Sequence, residues 1–201
     1  IQKDYLDNIK NLKVDHSKLH FIPKGLWDHE GQLKFYKQSN DQYVSRSLVD
    51  GMFSDSFDVV EVTTLPTDIT IDLLKMDIEG AEFEWIESLD FSQLDHVAQL
   101  VIEVHHPSSS SRNWGILKKL NQSHVLVHLH ANNNIHAGLV RFTENCSVQI
   151  PKVPELTYIH KKYCTDPLIP NQQPLPTPVD LPNFPDTPDC VLDYPPFCHD
   201  P

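Results

Sequence analysis

Four acidic residues crowd around a single glycine in the segment LLKMDIEGAEFEWI, which spans residues 73–86. They are Asp77, Glu79, Glu82 and Glu84. A carboxylate can accept a hydrogen bond from a ligand, hold a metal ion or act as a base. Asp77 comes at the end of an apolar run that has the pattern of a buried strand. We therefore predict that Asp77 is a functional group at a strand end.

The other three carboxylates have simpler explanations. Glu79 and Glu82 fall in the expected turn and first helical turn, where acidic side chains complement unpaired N–H groups and the positive end of the helix dipole. Gly80 permits a sharp turn between strand and helix. Glu84 is expected to face solvent. Glu79 and Glu82 are therefore predicted to serve the start of the helix first and chemistry second.

Polar residues also follow the next apolar run. Glu103 closes the segment VAQLVIE, and His105 and His106 come directly after it. A functional carboxylate and an ion pair with Lys75 on the neighbouring strand are both open interpretations of Glu103. His105 is a further candidate base at the same strand end.

Three histidines share one parity in the segment HVLVHLHA. On a regular strand His124, His128 and His130 would face the same side. Two histidines two residues apart can bind a metal ion. The spacing is a weak signal, however, and exposed histidines on an edge strand are the simpler interpretation, so no metal site is predicted.

These residues need a scaffold that brings the strand ends together. Apolar runs alternate with helical patterns in the order strand, helix, strand, helix, strand, which is typical of an α/β fold with a parallel sheet and crossover helices. The first two apolar runs, IDLLKMDI and VAQLVIEVHH, are expected to be buried central strands, with later strands towards an edge. Ligands bind outside the carboxyl ends of such strands. Asp77, Glu79, Glu103 and His105 would then face one crevice.

The remaining elements follow from the same periodicities. A helix is predicted over residues 2–12, and KLHFIPKGLWD is expected to start as a strand that Pro23 and Gly25 then break. Alternation in GQLKFYKQ and FDVVEVTTL predicts two half-exposed strands. AEFEWIESL and NWGILKKLNQ are predicted helices, and HVLVHLHA and LTYIHKKY are predicted strands. The residues expected to face inward from the two helices are Phe83, Ile86, Leu89, Trp114, Leu117 and Leu120.

Composition limits the classes of partner. The formal net charge is −12, which argues against a nucleic acid as the main partner because phosphate binding needs clustered basic residues. No run of apolar residues is long enough to span a membrane. The sequence contains four cysteines and two Asn-x-Ser sequons, which lean weakly towards the secretory pathway or the extracellular space. The compartment and the oligomeric state are otherwise not indicated.

Composition changes near Cys164. Eleven of the sixteen prolines lie between there and the last residue, which excludes regular helix or sheet interior over most of that length. We divide the chain into a domain over residues 1–163 and a proline-rich tail over 164–201. The tail either drapes over the domain or is disordered. In an oxidising compartment, disulfides of Cys164, Cys190 and Cys198 are a possible means of fixing it.

The segment IDLLKMDIEGAEFEWI closely resembles the K-x-D-x-E-G-A-E signature of the FkbM-type methyltransferases, which use S-adenosyl-L-methionine. The flanking segments FIPKGLWDHEGQLKFY, VEVTTL and LVIEVHH resemble the family in the same order. LHANNN and VPELTYIHKKY resemble the closing strands of its animal members. The resemblance covers about residues 19–164 and implies a Rossmann-like class I methyltransferase sheet, mostly parallel with an antiparallel last strand.

The resemblance also implies an activity: methyl transfer from S-adenosyl-L-methionine to a hydroxyl group of a small molecule or glycan. By position, Asp77 would lie near the methyl group or the acceptor, with Glu79, Glu103 or His105 as the base. Lys24, Gly25 and Leu26 match the cofactor segment beside the adenine, with Asp77 on the other side. The glycine-rich cofactor turn and the acidic strand end of the family are not in this sequence. We therefore expect an N-terminally truncated domain that lacks its first strands and is inactive alone.

Two alternatives remain open at this stage. The first is a methyltransferase fold that has lost catalysis and acts as a binding or interaction protein, since a fold does not guarantee a function. The second is a metal-dependent hydrolase built on Asp77, Glu79 and the histidines. No nucleophile elbow, H-E-x-x-H helix, P-loop or dinucleotide-binding glycine motif is present to support a hydrolase, kinase or dehydrogenase.

Overall fold

The computed structural model describes residues 20, 22–37, 46–47, 56–134, 138–142 and 148–199. In these residues the chain is a mixed α/β protein with parallel and antiparallel strands in three sheets. The helix predicted over residues 2–12 lies outside the described residues. Within the described ranges, no helix has both the length and the apolar character needed to cross a membrane.

The first sheet has the strand order β1-β4-β2-β3. Its strands are β1 (Gly25–Leu26), β2 (Gly31–Lys37), β3 (Arg46–Ser47) and β4 (Phe57–Thr63). Both segments form strands, as their alternation predicts; β2 and β4 pair antiparallel, while β1 runs parallel to β4. The strand predicted to start in KLHFI lies mostly outside the described residues, and Gly25, which was predicted to break it, instead begins β1. A Cβ at Gly25 would lie 3.2 Å from Val62 Cγ1, so the glycine instead lets β1 pack closely on β4.

The second sheet carries the strand ends of interest and has the order β5-β6-β10-β7. Its strands are β5 (Ile71–Met76), β6 (Val97–Glu103), β7 (His124–Ala131) and β10 (Pro154–His160). β5 and β6 are parallel, whereas β10 is antiparallel to both of its neighbours, β6 and β7. The third sheet is the antiparallel pair β8 (Leu139–Phe142) and β9 (Val148–Pro151).

Two α-helices cover one face of the second sheet. They are α1 (Glu82–Ser88), after β5, and α2 (Ser111–Leu117), after β6. Short 3-10 helices span Phe91–His96, Pro107–Ser109, Lys118–Gln122 and Lys161–Tyr163. The inward-facing residues of both predicted helices pack into one core with Leu100, Ile102, Leu156 and Tyr158 of the sheet. Burial of each large apolar side chain contributes about 1.5–3 kcal/mol, so this layer fixes the turns at the strand ends.

The position of β5 differs from the prediction. It was expected to be a central strand buried on both faces, but in the described residues it is the edge of its sheet. Leu73 is 55% exposed, and Asp72 and Lys75 are exposed as well. Because the helices cover only one face and no described strand pairs with its outer edge, β5 stays open to solvent. β6 is buried as predicted, with Val97, Leu100 and Ile102 inaccessible.

The histidines of β7 do not share one face. Thr157 pairs with His128 but Tyr158 pairs with Leu126, so Val127 is an extra residue in β7. The extra residue reverses the parity of the strand, and His124 therefore faces the opposite side from His128 and His130. His124 is fully buried, with Nε2 3.1 Å from Val97 O.

The described C-terminal residues, 164–199, lie on the domain and are called the C-terminal segment below. They contain no helix or strand beyond an isolated bridge between Leu175 and Leu192. Both leucines are buried in a second apolar cluster with Ala131 of β7. Cys164, Cys190 and Cys198 are free thiols. The segment approaches β7 from the side that carries His128 and His130, opposite the helical layer.

Candidate active site

The turn between β5 and α1 places Asp77 at the edge of the sheet. β5 ends at Met76, so Asp77 is the first residue beyond it, as predicted, and its side chain is exposed. Glu79 has φ 54° and Gly80 has φ 96°. The left-handed backbone of Glu79 costs on the order of 1 kcal/mol or more, while glycine tolerates the conformation. Two successive residues of this kind reverse the chain sharply and direct α1 back along the sheet.

Glu82 has a second role besides the predicted one at the start of the helix. Its side chain is fully buried, and it does not cap the turn alone. Oε1 accepts a hydrogen bond from Gly80 N at 2.9 Å, and Oε2 accepts one from His105 N at 3.3 Å. Oε1 also lies 3.2 Å from His105 Nδ1. A buried carboxylate is stable only when it is paired in this way, so Glu82 ties the β5–α1 turn to the chain after β6.

His105 is surrounded by carboxylates. Besides the Glu82 contact at Nδ1, its Nε2 lies 3.5 Å from Glu79 Oε2 and 3.6 Å from Glu103 Oε1. Burial alone would lower the pKa of His105, but the hydrogen bond and charge of Glu82, with the charges of Glu79 and Glu103, raise it to about 9. At neutral pH His105 is therefore an imidazolium that donates from Nδ1 to Glu82, while its Nε2 side forms ion pairs with Glu79 and Glu103. It can orient carboxylates, but it cannot act as a base there.

Glu103 has the opposite character. Burial and the nearby Asp77 carboxylate raise its pKa to about 7, although His105 and Lys75 oppose the rise; Glu155 adds to it. A carboxyl group that titrates near neutral pH is well matched to take a proton from a reacting group. Lys75 acts on Glu103 only through its charge, and the predicted Lys75–Glu103 ion pair does not occur among the described residues.

Asp77, Glu103 and His105 lie together. Each offers a ligand atom, and these atoms are within 4.8 Å of one another. A divalent cation can be accommodated at such spacing, but it would have to displace the proton that Glu82 and Glu79 hold on His105. We therefore interpret the group as a proton-binding and hydrogen-bonding site.

The four predicted catalytic residues are thus brought to one place. Of the four predicted cofactor residues, Asp77 lies in this group, whereas Gly25 and Leu26 form β1 of the first sheet and Lys24 directly precedes it. Lys24 Nζ is 3.3 Å from Glu30 Oε2 and 4.0 Å from Glu61 Oε2. Leu26 packs against the main core, which joins the two sheets.

Two residues at this edge of the sheet, Glu82 and Glu155, were not predicted as site residues from the sequence. Glu82 is the last acidic residue of the 75–82 signature. Because a carboxylate is common at a helix start, its position gave no sign of the bond to His105, 23 positions away. Glu155 enters because β10 is antiparallel and pairs Glu155 with Glu103. No local pattern around Glu155 marks it as a site residue, since only the strand register brings it there.

Comparison with known proteins identifies the family. No characterised protein and no solved structure gives a significant match. The sequence profile of the methyltransferase FkbM domain matches residues 2–139, which is more than two thirds of the 201 residues. The match confirms the resemblance carried by the signature around Asp77 and Glu82, and it ends before the C-terminal segment begins. The chain therefore belongs to the FkbM methyltransferase family.

Proposed function

We propose that this domain transfers a methyl group from S-adenosyl-L-methionine to a hydroxyl group of a small molecule or glycan. Family membership supports methyl transfer. The observation that carries the proposal is Glu103, a carboxyl group with a pKa of about 7 beside Asp77 at adjoining strand ends. Hydroxyl oxygens are weak nucleophiles, so their methylation benefits from a base that is unprotonated at working pH.

The fold proposed with this function is the Rossmann-like class I methyltransferase sheet, in the form found in animal members of the family. The order β5-β6-β10-β7, with β10 antiparallel, supports it. We further propose that additional strands pair with the outer edge of β5. Exposed Leu73 on the outer strand is an apolar side chain that such strands and their helices would cover.

The residues present suit the cofactor. S-adenosyl-L-methionine supplies an electrophilic methyl group on a positively charged sulfur. Exposed Asp77, flanked by Glu79 and Glu103, gives this edge a negative potential that favours such a cation. We assign Lys24, Gly25 and Leu26 to the adenine side and Asp77 to the sulfonium side of the cofactor.

The roles on the acceptor side follow from the contacts. Asp77 accepts a hydrogen bond from the acceptor hydroxyl and orients it, and Glu103 takes the hydroxyl proton. His105 holds the carboxylates of Glu79 and Glu103 through Nε2, and Glu82 holds His105. Because His105 stays protonated to about pH 9, its charge keeps Glu103 from titrating at still higher pH.

The test uses the full-length protein. Calorimetry with S-adenosyl-L-methionine is expected to show one site, and labelled methyl transfer into a metabolite and glycan extract is expected to be at least about 100-fold slower in Asp77→Asn. Asp72→Asn is the matched control, an exposed carboxylate on the strand that leads to Asp77. A folded protein that does not bind the cofactor would refute the proposal. Equal rates for Asp77→Asn and Asp72→Asn would remove Asp77 from the mechanism.

The second candidate is a methyltransferase fold without catalysis that acts as a binding or interaction protein. Several apolar side chains of the C-terminal segment are exposed and favour it: Leu168, Ile169, Val179 and Leu181. Folded full-length protein that binds no S-adenosyl-L-methionine but retains a partner through these side chains would support this reading over the first.

A further inference from the structure

Four side chains form a continuous row across the second sheet, called the strand-end row below. Met76 pairs with Ile102, so the next residues, Asp77 and Glu103, occupy the next position of the parallel pair. Glu103 pairs with Glu155, and Glu155 pairs with His130. Residues opposite one another on neighbouring strands project to the same face. With strands about 4.8 Å apart, the row from Asp77 to His130 extends roughly 14 Å.

The C-terminal segment completes the far end of this row. His130 is buried, with Nδ1 3.2 Å from Glu155 Oε2 and Nε2 3.1 Å from Asp189 Oδ2. Asn183 donates through Nδ2 to Glu155 Oε1 at 2.8 Å. Each carboxylate oxygen of Glu155 therefore has its own partner, one from β7 and one from the segment.

The segment is anchored at this point by backbone as well as side-chain bonds. Buried Asn133 donates to Phe184 O at 2.9 Å and to Thr187 O at 2.7 Å. Its Oδ1 accepts a hydrogen bond from Phe184 N at 2.9 Å. A single buried amide thus satisfies three backbone groups between Asn183 and Asp189, which fixes the loop that carries both residues.

We infer that residues 183–189 form one wall of the acceptor site, in which Asn183 and Asp189 are positioning residues that hold Glu155 beside Glu103. This inference rests on the proposed function. Glu155 remains partly exposed between its two partners, so it can still receive hydrogen bonds from an acceptor. Its charge disfavours acceptors that carry an anionic group near the reacting hydroxyl.

The electrostatics agree with this geometry. Glu155 contributes to the raised pKa of Glu103, after burial and Asp77. Burial would lower the pKa of His130, but its bonds to Asp189 and Glu155 outweigh burial and raise it. These bonds favour the imidazolium form of His130, which lies between two carboxylates, and its positive charge limits the negative charge that Glu155 presents to Glu103.

The first experiment needs no acceptor. Carboxyl-labelled glutamate in the full-length protein lets the titration of Glu103 be followed by NMR; the charged groups that face it are Asp77, Lys75, His105 and Glu155. Glu155→Gln removes a like charge from a neighbouring strand and is expected to move the Glu103 titration to lower pH by about one unit. An unchanged Glu103 titration in folded Glu155→Gln would overturn the inference.

The second experiment compares two aspartates of the segment. Asp189 contacts His130, whereas Asp180 contacts His128 at 2.8 Å and does not touch the strand-end row. Asp189→Asn lowers the pKa of His130 and leaves Glu155 uncompensated, so Glu103 should titrate at higher pH. Asp180→Asn should leave the Glu103 titration where it is. Equal titrations in the two variants would refute the positioning role.

The transfer assay adds a readout for the acceptor. Asn183→Ala, at an exposed residue that should not affect folding, is expected to raise the half-saturating amount of acceptor extract several-fold and to change the plateau rate less than twofold. Asp180→Asn serves as its control. Cofactor binding is measured in parallel, so loss of binding reports on the proposed function. Intact binding with an unchanged half-saturation in Asn183→Ala would count against the acceptor wall.

Discussion

Replacement of Glu82 by glutamine tests the central electrostatic contact of the site. The change keeps the shape of the side chain but removes a buried negative charge 3.2 Å from His105 Nδ1. The glutamine oxygen can still accept from Gly80 N, but a neutral amide stabilises an imidazolium far less than a carboxylate does. We expect the pKa of His105 to fall from about 9 towards its ordinary 6.5, because burial then opposes only the charges of Glu79 and Glu103.

The magnitude follows from linkage between protonation and folding. A pKa raised from 6.5 to about 9 gives His105 a stabilising contribution that is complete below pH 6.5 and is lost as the pH rises through 9. The whole gap corresponds to about 3 kcal/mol, of which roughly 2 kcal/mol is lost between pH 7 and pH 9.5. Glu103, which titrates near pH 7, contributes little to the change over this window.

The assay is urea unfolding of the wild type, Glu82→Gln and Glu84→Gln at pH 7 and pH 9.5. Glu84 is an exposed carboxylate on the same helix and serves as the control. The free energy of unfolding should fall with pH by roughly 2 kcal/mol more in the wild type and in Glu84→Gln than in Glu82→Gln. Equal pH dependence in all three proteins would refute the assignment of the His105 charge to Glu82.

Three further predictions concern the base, the core and the C-terminal segment. Glu103→Gln should abolish the rise of the methyl-transfer rate around pH 7; the same variant should unfold at higher urea above pH 8, because a carboxyl group with a raised pKa destabilises the fold when ionised. Ile86→Ala, at a fully buried residue of α1, should lower the free energy of unfolding by about 2–5 kcal/mol in urea titrations, and a loss under 1 kcal/mol would contradict the packing described. Leu192→Ala should make the C-terminal segment susceptible to limited proteolysis, whereas Val191→Ala, at an exposed neighbour, should not.

The part of the site that could be predicted is the part that local pattern determines. Asp77 and Glu103 lie at the ends of two short apolar runs that are separated by a helical pattern. In a parallel sheet with crossover helices, the ends of such strands lie side by side. The structure brings both residues together with His105. The burial of Phe83, Ile86 and Leu89 follows in the same way from helical spacing.

The remainder depends on contacts distant in sequence. Glu82 is at a helix start, where local preference already explains a carboxylate. Its bond to His105 therefore produces no additional signal in the sequence. Burial of β5 was overestimated because an apolar run does not reveal whether a neighbouring strand is present. The extra residue Val127 cannot be seen by counting parity, and it alone separates His124 from His128.

The extra residue Val127 divides β7 into two halves that contact different parts of the protein. In the first half, the side chain of His124 points into the interior, where its ring packs edge-on against His160 with centroids 4.9 Å apart. Beyond Val127 the inward and outward positions are exchanged, so His128 and His130 face the other side of the sheet. There they contact Asp180 and Asp189 of the C-terminal segment. Substitutions in one half can therefore accumulate without changing which side chains the other half presents. Loss of the residue at position 127 would leave a regular strand in which both halves keep their present partners on β10, so His124 and His128 would still face opposite sides.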